Sequence, residues 1–267
     1  MKAIVITALF TFVAATAAWF TNSGVTGKAS EHTSEAVTTA ESTAVRQPVL
    51  VELFTSEGCS SCPPADRVLT NLQRDQGVAG AEIITLAFHV DYWNYLGWKD
   101  RFSTAAFTRR QEAYARQFGN SSSYTPQMVV DGSLEFVGSN TSKALTSVST
   151  SSAHAKASID LALKGNNLSA TISGLPSHSN ATVFLAVAES SLFTKVGGGE
   201  NSGSLLEHTS VVRDLIPLGT VNKGESQFNA QRQVAAKPDW KSENMKYVVF
   251  VQEDSTLKVL AVKQISR

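Results

Sequence analysis

Cys59 and Cys62 are the only cysteines in the 267-residue chain, and they stand in a Cys-x-x-Cys arrangement. Two thiols at this spacing can close a small disulfide, relay electrons by thiol–disulfide exchange, or supply half of a metal site. Their number excludes a multi-disulfide scaffold and a four-thiolate zinc site within one chain. Pro63 and Pro64 follow directly. Proline is tolerated only in the first turn of a helix, where its missing N–H costs nothing. Cys59 therefore falls at or just before a helix N-terminus, where unpaired amides and the helix dipole stabilise a thiolate. That placement favours a redox pair over the structural disulfide and the half metal site. Glu57, two residues earlier, is expected as an exposed acid at the helix start, with proton acceptance as its alternative role.

The elements around this pair read as alternating strand and helix. Val49 to Phe54 is a short apolar run, rich in β-branched residues at its start, as a buried strand should be. An amphipathic run through Val68, Leu69 and Leu72 follows the prolines, and Gly77 to Gly80 stops it. Ile83 to Val90 is a second continuous apolar run. Strand, helix, strand in that spacing predicts a βαβ unit with parallel strands and a right-handed crossover. His89, Asp91, Tyr92, Trp93, Tyr95 and Trp98 cluster after the second strand, at the sheet edge where sites form and where Cys59 also lies. His89 and Trp93 are thus candidate substrate contacts. Anchoring in the core is the competing role for the aromatics, and a structural hydrogen bond for His89.

Ser103 to Phe118 reads as a helix with Phe107, Tyr114 and Phe118 spaced for burial and Arg109, Arg110 and Arg116 on a solvated face. Thr125-Pro126 then precedes an apolar stretch, Met128 to Val130. Proline fits there only at a strand start. Asp131-Gly132 turns the chain into Ser133 to Gly138, which predicts a β-hairpin, and a helix of roughly 142–157 follows.

From Ala157 the period changes to alternation. Ile159, Leu161 and Leu163 answer Leu168, Ala170 and Ile172 across Gly165-Asn166-Asn167. Further short strands are expected at 182–187, 211–218, 228–234, 247–252 and 257–262, which predicts a sandwich of roughly seven strands. The loop from Lys195 to Gly203 carries three consecutive glycines and then Glu200 and Asn201. It lacks the lysine and the helix of a phosphate loop, and is expected to lie over the Cys59 edge; a plain flexible hairpin is the alternative.

Composition bounds the partners. Lys and Arg balance Asp and Glu to a formal net charge of +0, so no electrostatic argument exists for nucleic acid or an anionic membrane. Met1-Lys2 precedes an apolar run from Ala3 to Phe20, with Ala15-Thr16-Ala17 supplying the small-x-small pattern of a cleavage site. An uncleaved anchor is the alternative, and contact with a membrane is expected only through such a segment. Thr21 to Gln47 has no apolar periodicity and is expected to be a disordered tether.

Together, the strand, the Cys-x-x-Cys pair on a helix start, and Thr125-Pro126 before a strand and hairpin resemble the thioredoxin fold, with Tyr92 to Phe118 as a helical insert. More specifically, Val51 to Asp66, His89 to Trp93, Leu96 to Asp100, Tyr124 to Gly132 and Gly199 to Gly203 resemble a secreted thioredoxin-like family, the domain of unknown function 1223 family. Arg101 departs from its pattern, which has proline there, and Glu57-Gly58 replaces the aromatic that thioredoxins carry before the first cysteine. The implied organisation is α/β: signal peptide 1–18, tether 19–47, thioredoxin-like domain 48–155, and an all-β sandwich-like domain 156–267.

The strand, the Cys-x-x-Cys pair on a proline-started helix and Thr125-Pro126 make an exported thiol–disulfide oxidoreductase the leading expectation, periplasmic or extracellular and acting on protein or small-molecule thiols and disulfides. The family resemblance itself sets the fold and names no substrate. Cys59 would attack, Cys62 would resolve the mixed disulfide, and a cis Pro126 would align the substrate and keep metal off the sulfurs. Thr125, His89, Trp93, Glu200 and Asn201 are the expected substrate contacts; neither a cofactor nor a metal is expected. Two alternatives come from other classes. One is copper or zinc handling by the two thiolates with His89 or His208. The other is a binding module in which the disulfide is structural.

Overall fold

The computed structural model describes residues 46–267 except residue 236. The expected signal segment (1–18) and all but the last two residues of the expected tether (19–47) lie outside the described residues. Gln47, assigned to the tether, instead opens the first strand, its N–H donating to Gly80 O at 2.7 Å.

The first strand, β1 (Gln47–Thr55), leads through the cysteine turn into helix α1 (Pro63–Asp75), and β2 (Ala81–His89) pairs parallel to β1 over its full length. A single 3₁₀ turn (Asn94–Leu96) and helix α2 (Ala105–Phe118) follow; Thr104 caps α2 and Gly119, at φ 72°, closes it. The hairpin of β3 (Gln127–Val130) and β4 (Leu134–Val137) turns through Asp131, Gly132 and Ser133, the first two in the left-handed region. Helix α3 (Thr141–Ser152) ends five residues earlier than the sequence suggests. Ten of its twelve residues are Ser, Thr, Lys or Ala, and the apolar stripe needed to extend it is missing.

The second half is β apart from one 3₁₀ turn (Ser242–Asn244): β5 (Ser158–Lys164), β6 (Asn167–Ser173), β7 (Ala181–Glu189), β8 (Leu192–Lys195), β9 (Leu205–His208), β10 (Val211–Val221), β11 (Gln227–Gln233), β12 (Met245–Glu253) and β13 (Val259–Ser266). Here the architecture departs from two separate domains. One eight-stranded mixed sheet runs in the order β13-β12-β7-β10-β2-β1-β3-β4, so four strands assigned to a sandwich join the sheet that carries the cysteines. The junction is short: β10 lies parallel to β2 with Val211 opposite Ala87, and Ala87 N donates to Ser210 O at 2.8 Å.

Burial of both faces explains the fusion. Val183, Leu185 and Val187 of β7 and Tyr247, Val249 and Val251 of β12 face a three-stranded sheet (β11-β6-β5). Their alternate neighbours Ala186, Ala188, Val248 and Phe250 face the cluster that α2 completes with Phe107 and Tyr114. Strands apolar on both faces belong inside a sheet, not at a sandwich surface. The sandwich expectation survives in the packing of the three-stranded sheet on β7 and β12. On the β1–β2 half, Val49, Val51 and Leu53 instead meet Val68, Leu69 and Leu72 of α1 and Val148 of α3.

Arg110 is a second correction. It lies not on a solvated face but beneath α2, holding the fully buried Glu52 of β1 through two bonds (Nε–Oε2 2.7 Å, Nη2–Oε1 2.9 Å). Tyr114 Oη donates to the same carboxylate at 2.7 Å, and Arg110 Nη1 donates to Gln252 of β12 at 3.0 Å. Fixing α2 to both halves of the sheet sets the position of the 90–104 segment that precedes it.

Candidate functional site

The turn after β1 is built on short backbone bonds: Cys59 N donates to Ser56 O (3.2 Å) and Cys62 N to Cys59 O (3.1 Å). Cys62 is the N-cap of α1, its carbonyl accepting from Ala65 and Asp66, while Pro63 and Pro64 occupy the first turn. Cys59 and Cys62 are joined as a disulfide. Gly58 packs tightly here: a β-carbon on it would come within 3.1 Å of Trp93 Cβ. That contact accounts for the missing aromatic before Cys59: Trp93 arrives from another segment and fills the place.

Thr125-Pro126 is cis and faces the pair. Thr125 Oγ1 donates to Cys59 Sγ at 3.3 Å and itself accepts from Trp93 Nε1 at 2.8 Å. Ser61 Oγ lies 3.3 Å from the same sulfur. A thiolate on Cys59 would thus meet a hydroxyl already oriented toward it, which lowers the cost of ionising.

The glycine loop between β8 and β9 closes over this turn. Its neck is tied by Val196 N to Ser204 O and Gly203 N to Val196 O, both 2.9 Å. Glu200 Oε2 accepts from Ser60 Oγ (2.7 Å) and Ser60 N (2.9 Å), and these bonds hold its carboxyl below the usual carboxylate range. Asn201 Nδ2 donates to two carbonyls at once, Glu57 O and Cys59 O, each at 2.9 Å. Gly197 and Gly198 lie against Trp98 and Gly97 so closely that β-carbons would come within 3.0 and 2.7 Å of them. Arg101, the departure from the family pattern, reaches Phe193 O of β8 at 3.3 Å. The result is that both cysteines are 0% exposed.

Behind the disulfide lies a set of buried ionisable groups. Glu57 is fully buried, not the exposed helix-start acid expected from its position. Its Oε2 accepts from Trp98 Nε1 at 2.7 Å and its Oε1 lies 3.2 Å from His208 Nε2. His89 Nδ1 and Asp100 Oδ2 are 2.7 Å apart, and Asp100 also accepts from the Glu57 and Phe102 amides. Burial disfavours the His89 cation, but the Asp100 carboxylate outweighs it and raises the imidazole above its ordinary value. The converse holds for Asp100: burial pushes it up, and His89 with the three bonds brings it below the usual range. Asp66, on α1 one turn after Cys62, is raised by burial despite the opposing charges of His208 and His89.

The structure therefore gathers Cys59, Cys62, Thr125, Pro126, Trp93, Glu200 and Asn201 at one sheet edge, and gives the last three protein partners. His89 is different. It is 1% exposed and bound to Asp100, so in this conformation it does not reach a solute, against the expectation of a substrate contact. Among the described residues no group of three or more His, Cys, Asp or Glu side chains is placed to hold a metal ion. Sequence reasoning missed Asp100, Asp66 and the burial of Glu57. The available signal was Trp98, whose indole N–H needs a buried acceptor.

The fold and site define a mixed α/β protein with a large mixed sheet, few helices and a disulfide enclosed at a strand–helix turn. The chain belongs to the family described as "Protein of unknown function (DUF1223)", which matches residues 50–252. A crystal structure of a protein from Agrobacterium tumefaciens is similar in fold, with a TM-score of 0.67 and 23% identity over 83% of this chain and 95% of that one. A domain of the outer membrane lipoprotein Omp28 from Porphyromonas gingivalis aligns at 16% identity over 42% of this chain and 87% of that one, with a TM-score of 0.23. No curated protein matches the sequence.

Proposed function

We propose that this is an exported, thioredoxin-like thiol–disulfide oxidoreductase. The observation that carries the reading is the Thr125 hydroxyl bonded to Cys59 Sγ beside a cis Pro126, across from a disulfide at the start of α1. In the oxidising direction a substrate thiolate attacks Cys59 Sγ, forming a mixed disulfide and breaking the Cys59–Cys62 bond, with Cys62 leaving as a thiolate. A second substrate thiolate attacks the substrate sulfur and releases Cys59, so two thiols become one disulfide and the protein gains two electrons. Reduction of a substrate runs the same steps backwards. Export is supported by the apolar N-terminal run from Ala3 to Phe20.

Burial of both sulfurs adds one requirement: the Glu200–Asn201 loop must lift before a substrate can reach Cys59. The experiment is disulfide reduction of insulin by the purified reduced protein, with Cys59→Ser beside it. Loss of turnover in the variant is the expected result; an unchanged rate rejects the enzymatic account. The same burial favours a second reading, in which the disulfide is structural and the edge recognises a partner without exchange. A Cys59–Cys62 potential below about −300 mV, the range of structural disulfides, selects that reading.

A further inference from the structure

A cavity of about 260 Å³ opens at the other end of β1 from the cysteines, where no part of the proposed exchange site reaches. Four segments meet around it: the β3–β4 turn, the last turn of α3 with its link to β5, Pro176, and the start of β13. Its apolar lining is Leu134, Val259 and Leu260, with Ala155 and Pro176 exposed at its edge. Its charged wall is Asp131, Lys156, Lys258 and His154.

The charges do not cancel. Asp131 is enclosed, and burial raises its carboxyl even though Lys156 opposes this. Its Oδ1 accepts from Leu50 N at 2.9 Å and its Oδ2 lies 2.7 Å from Lys156 Nζ, so both its oxygens are engaged. The Lys156 side chain is only 5% exposed, and Asp131 Oδ2 is the one described partner of its ammonium. An ammonium carries three donors, so two are left without a described acceptor, which is costly away from water. Lys258, exposed at the rim, adds a positive charge that none of the described ion pairs neutralises. A half-apolar, net-positive cavity with a buried ammonium short of acceptors calls for an anion carrying a hydrocarbon body. Inorganic phosphate would leave the apolar floor wet. The volume falls just under the range typical of pockets for drug-sized ligands.

We infer that this cavity binds a small organic monocarboxylate, its head group filling the free donors of Lys156 and its short hydrocarbon body lying on Leu134, Val259 and Leu260. The inference stands apart from the proposed exchange activity, because the ligand would touch neither the cysteines nor the loop over them. It adds a ligand-binding function at the opposite pole of the sheet.

Titration of the full chain with hexanoate and, separately, hexanamide, read by calorimetry and by the shift in melting temperature, tests it. Hexanoate should bind saturably and raise the melting temperature with concentration. Hexanamide, lacking the charge, should bind about tenfold more weakly. Two variants at exposed lining positions avoid the buried Asp131–Lys156 pair. Lys258→Glu should weaken hexanoate about fivefold or more by reversing a rim charge. Ala155→Trp should block the cavity and abolish binding, while leaving the rate at which dithiothreitol reduces Cys59–Cys62 unchanged. No saturable response to hexanoate, equal binding of the amide, or full binding by the Ala155→Trp variant would overturn the assignment.

Discussion

Asn201→Ala removes the one side chain that bonds two carbonyls of the cysteine turn. Both bonds are 2.9 Å long and enclosed, with Asn201 itself 9% exposed. Each is worth about 1 kcal/mol net, so the closed loop loses about 2 kcal/mol relative to the open one. That corresponds to a roughly 30-fold larger population of the open form. The assay is reduction of Cys59–Cys62 by dithiothreitol in native buffer, quenched with an alkylating agent and read by mass. While opening and closing are fast compared with reduction, the observed rate follows the open population, so the variant should be reduced about 30-fold faster than the parent. The urea dependence identifies which opening is responsible. Lifting one loop exposes little surface, so the rate should hardly change at low urea, whereas a route through global unfolding would rise steeply. A variant reduced within twofold of the parent rate would refute the claim that this loop controls access. So would a rate that climbs with urea in proportion to the global unfolding constant.

Further predictions concern the groups around this turn and under the sheet. Thr125→Val removes the hydroxyl from Cys59 Sγ; the pH midpoint of iodoacetamide alkylation of the reduced protein should rise by about half to one unit, and Thr125→Ser should restore it. Lys246 is enclosed, its Nζ reaching Gln73 Oε1 at 3.2 Å, and burial pushes its ammonium down to about 7. Since the unfolded chain keeps that proton up to its ordinary pKa of 10.5, stability should rise with pH between these values, by at most about 4–5 kcal/mol. Lys246→Met should abolish that slope and raise the melting temperature at neutral pH; an unchanged slope in the variant refutes this. His89 and Asp100 shift in opposite directions, so their pairing stabilises above the unfolded Asp value and is lost as pH rises through the raised His89 value. His89→Gln should therefore cost more stability at about pH 5.5 than at about pH 9, measured by urea unfolding; an equal cost at both would show that the charge plays no part.

What the sequence made legible is what local pattern controls. The apolar runs at β1 and β2, the prolines opening α1, Gly119 closing α2, and Asp131-Gly132 turning the hairpin each act within a few residues, and each element appears where its pattern places it. The pairing of β10 with β2 is not local. It rests on one register contact between strands more than a hundred residues apart, and no periodicity in 211–218 says which neighbour it takes. In 182–187 the second face carries Phe184 and Ala186 beside Thr182, and a run apolar on both faces does not say which layers enclose it. The cysteines, Thr125-Pro126 and the glycine loop were legible as a site because their residue types are chemically specific. Burial of Glu57 and Arg110 was not, since a charged residue shows its partner only once the chain has brought the two together. Arg110 and Glu52 are 58 positions apart.

Asn201 stands 142 residues downstream of the carbonyl it seals. A chain emerging amino end first presents its two thiols long before the part that shuts them away exists. Oxidant therefore has its easiest approach to Cys59 during synthesis, before the glycine loop exists to cover the pair.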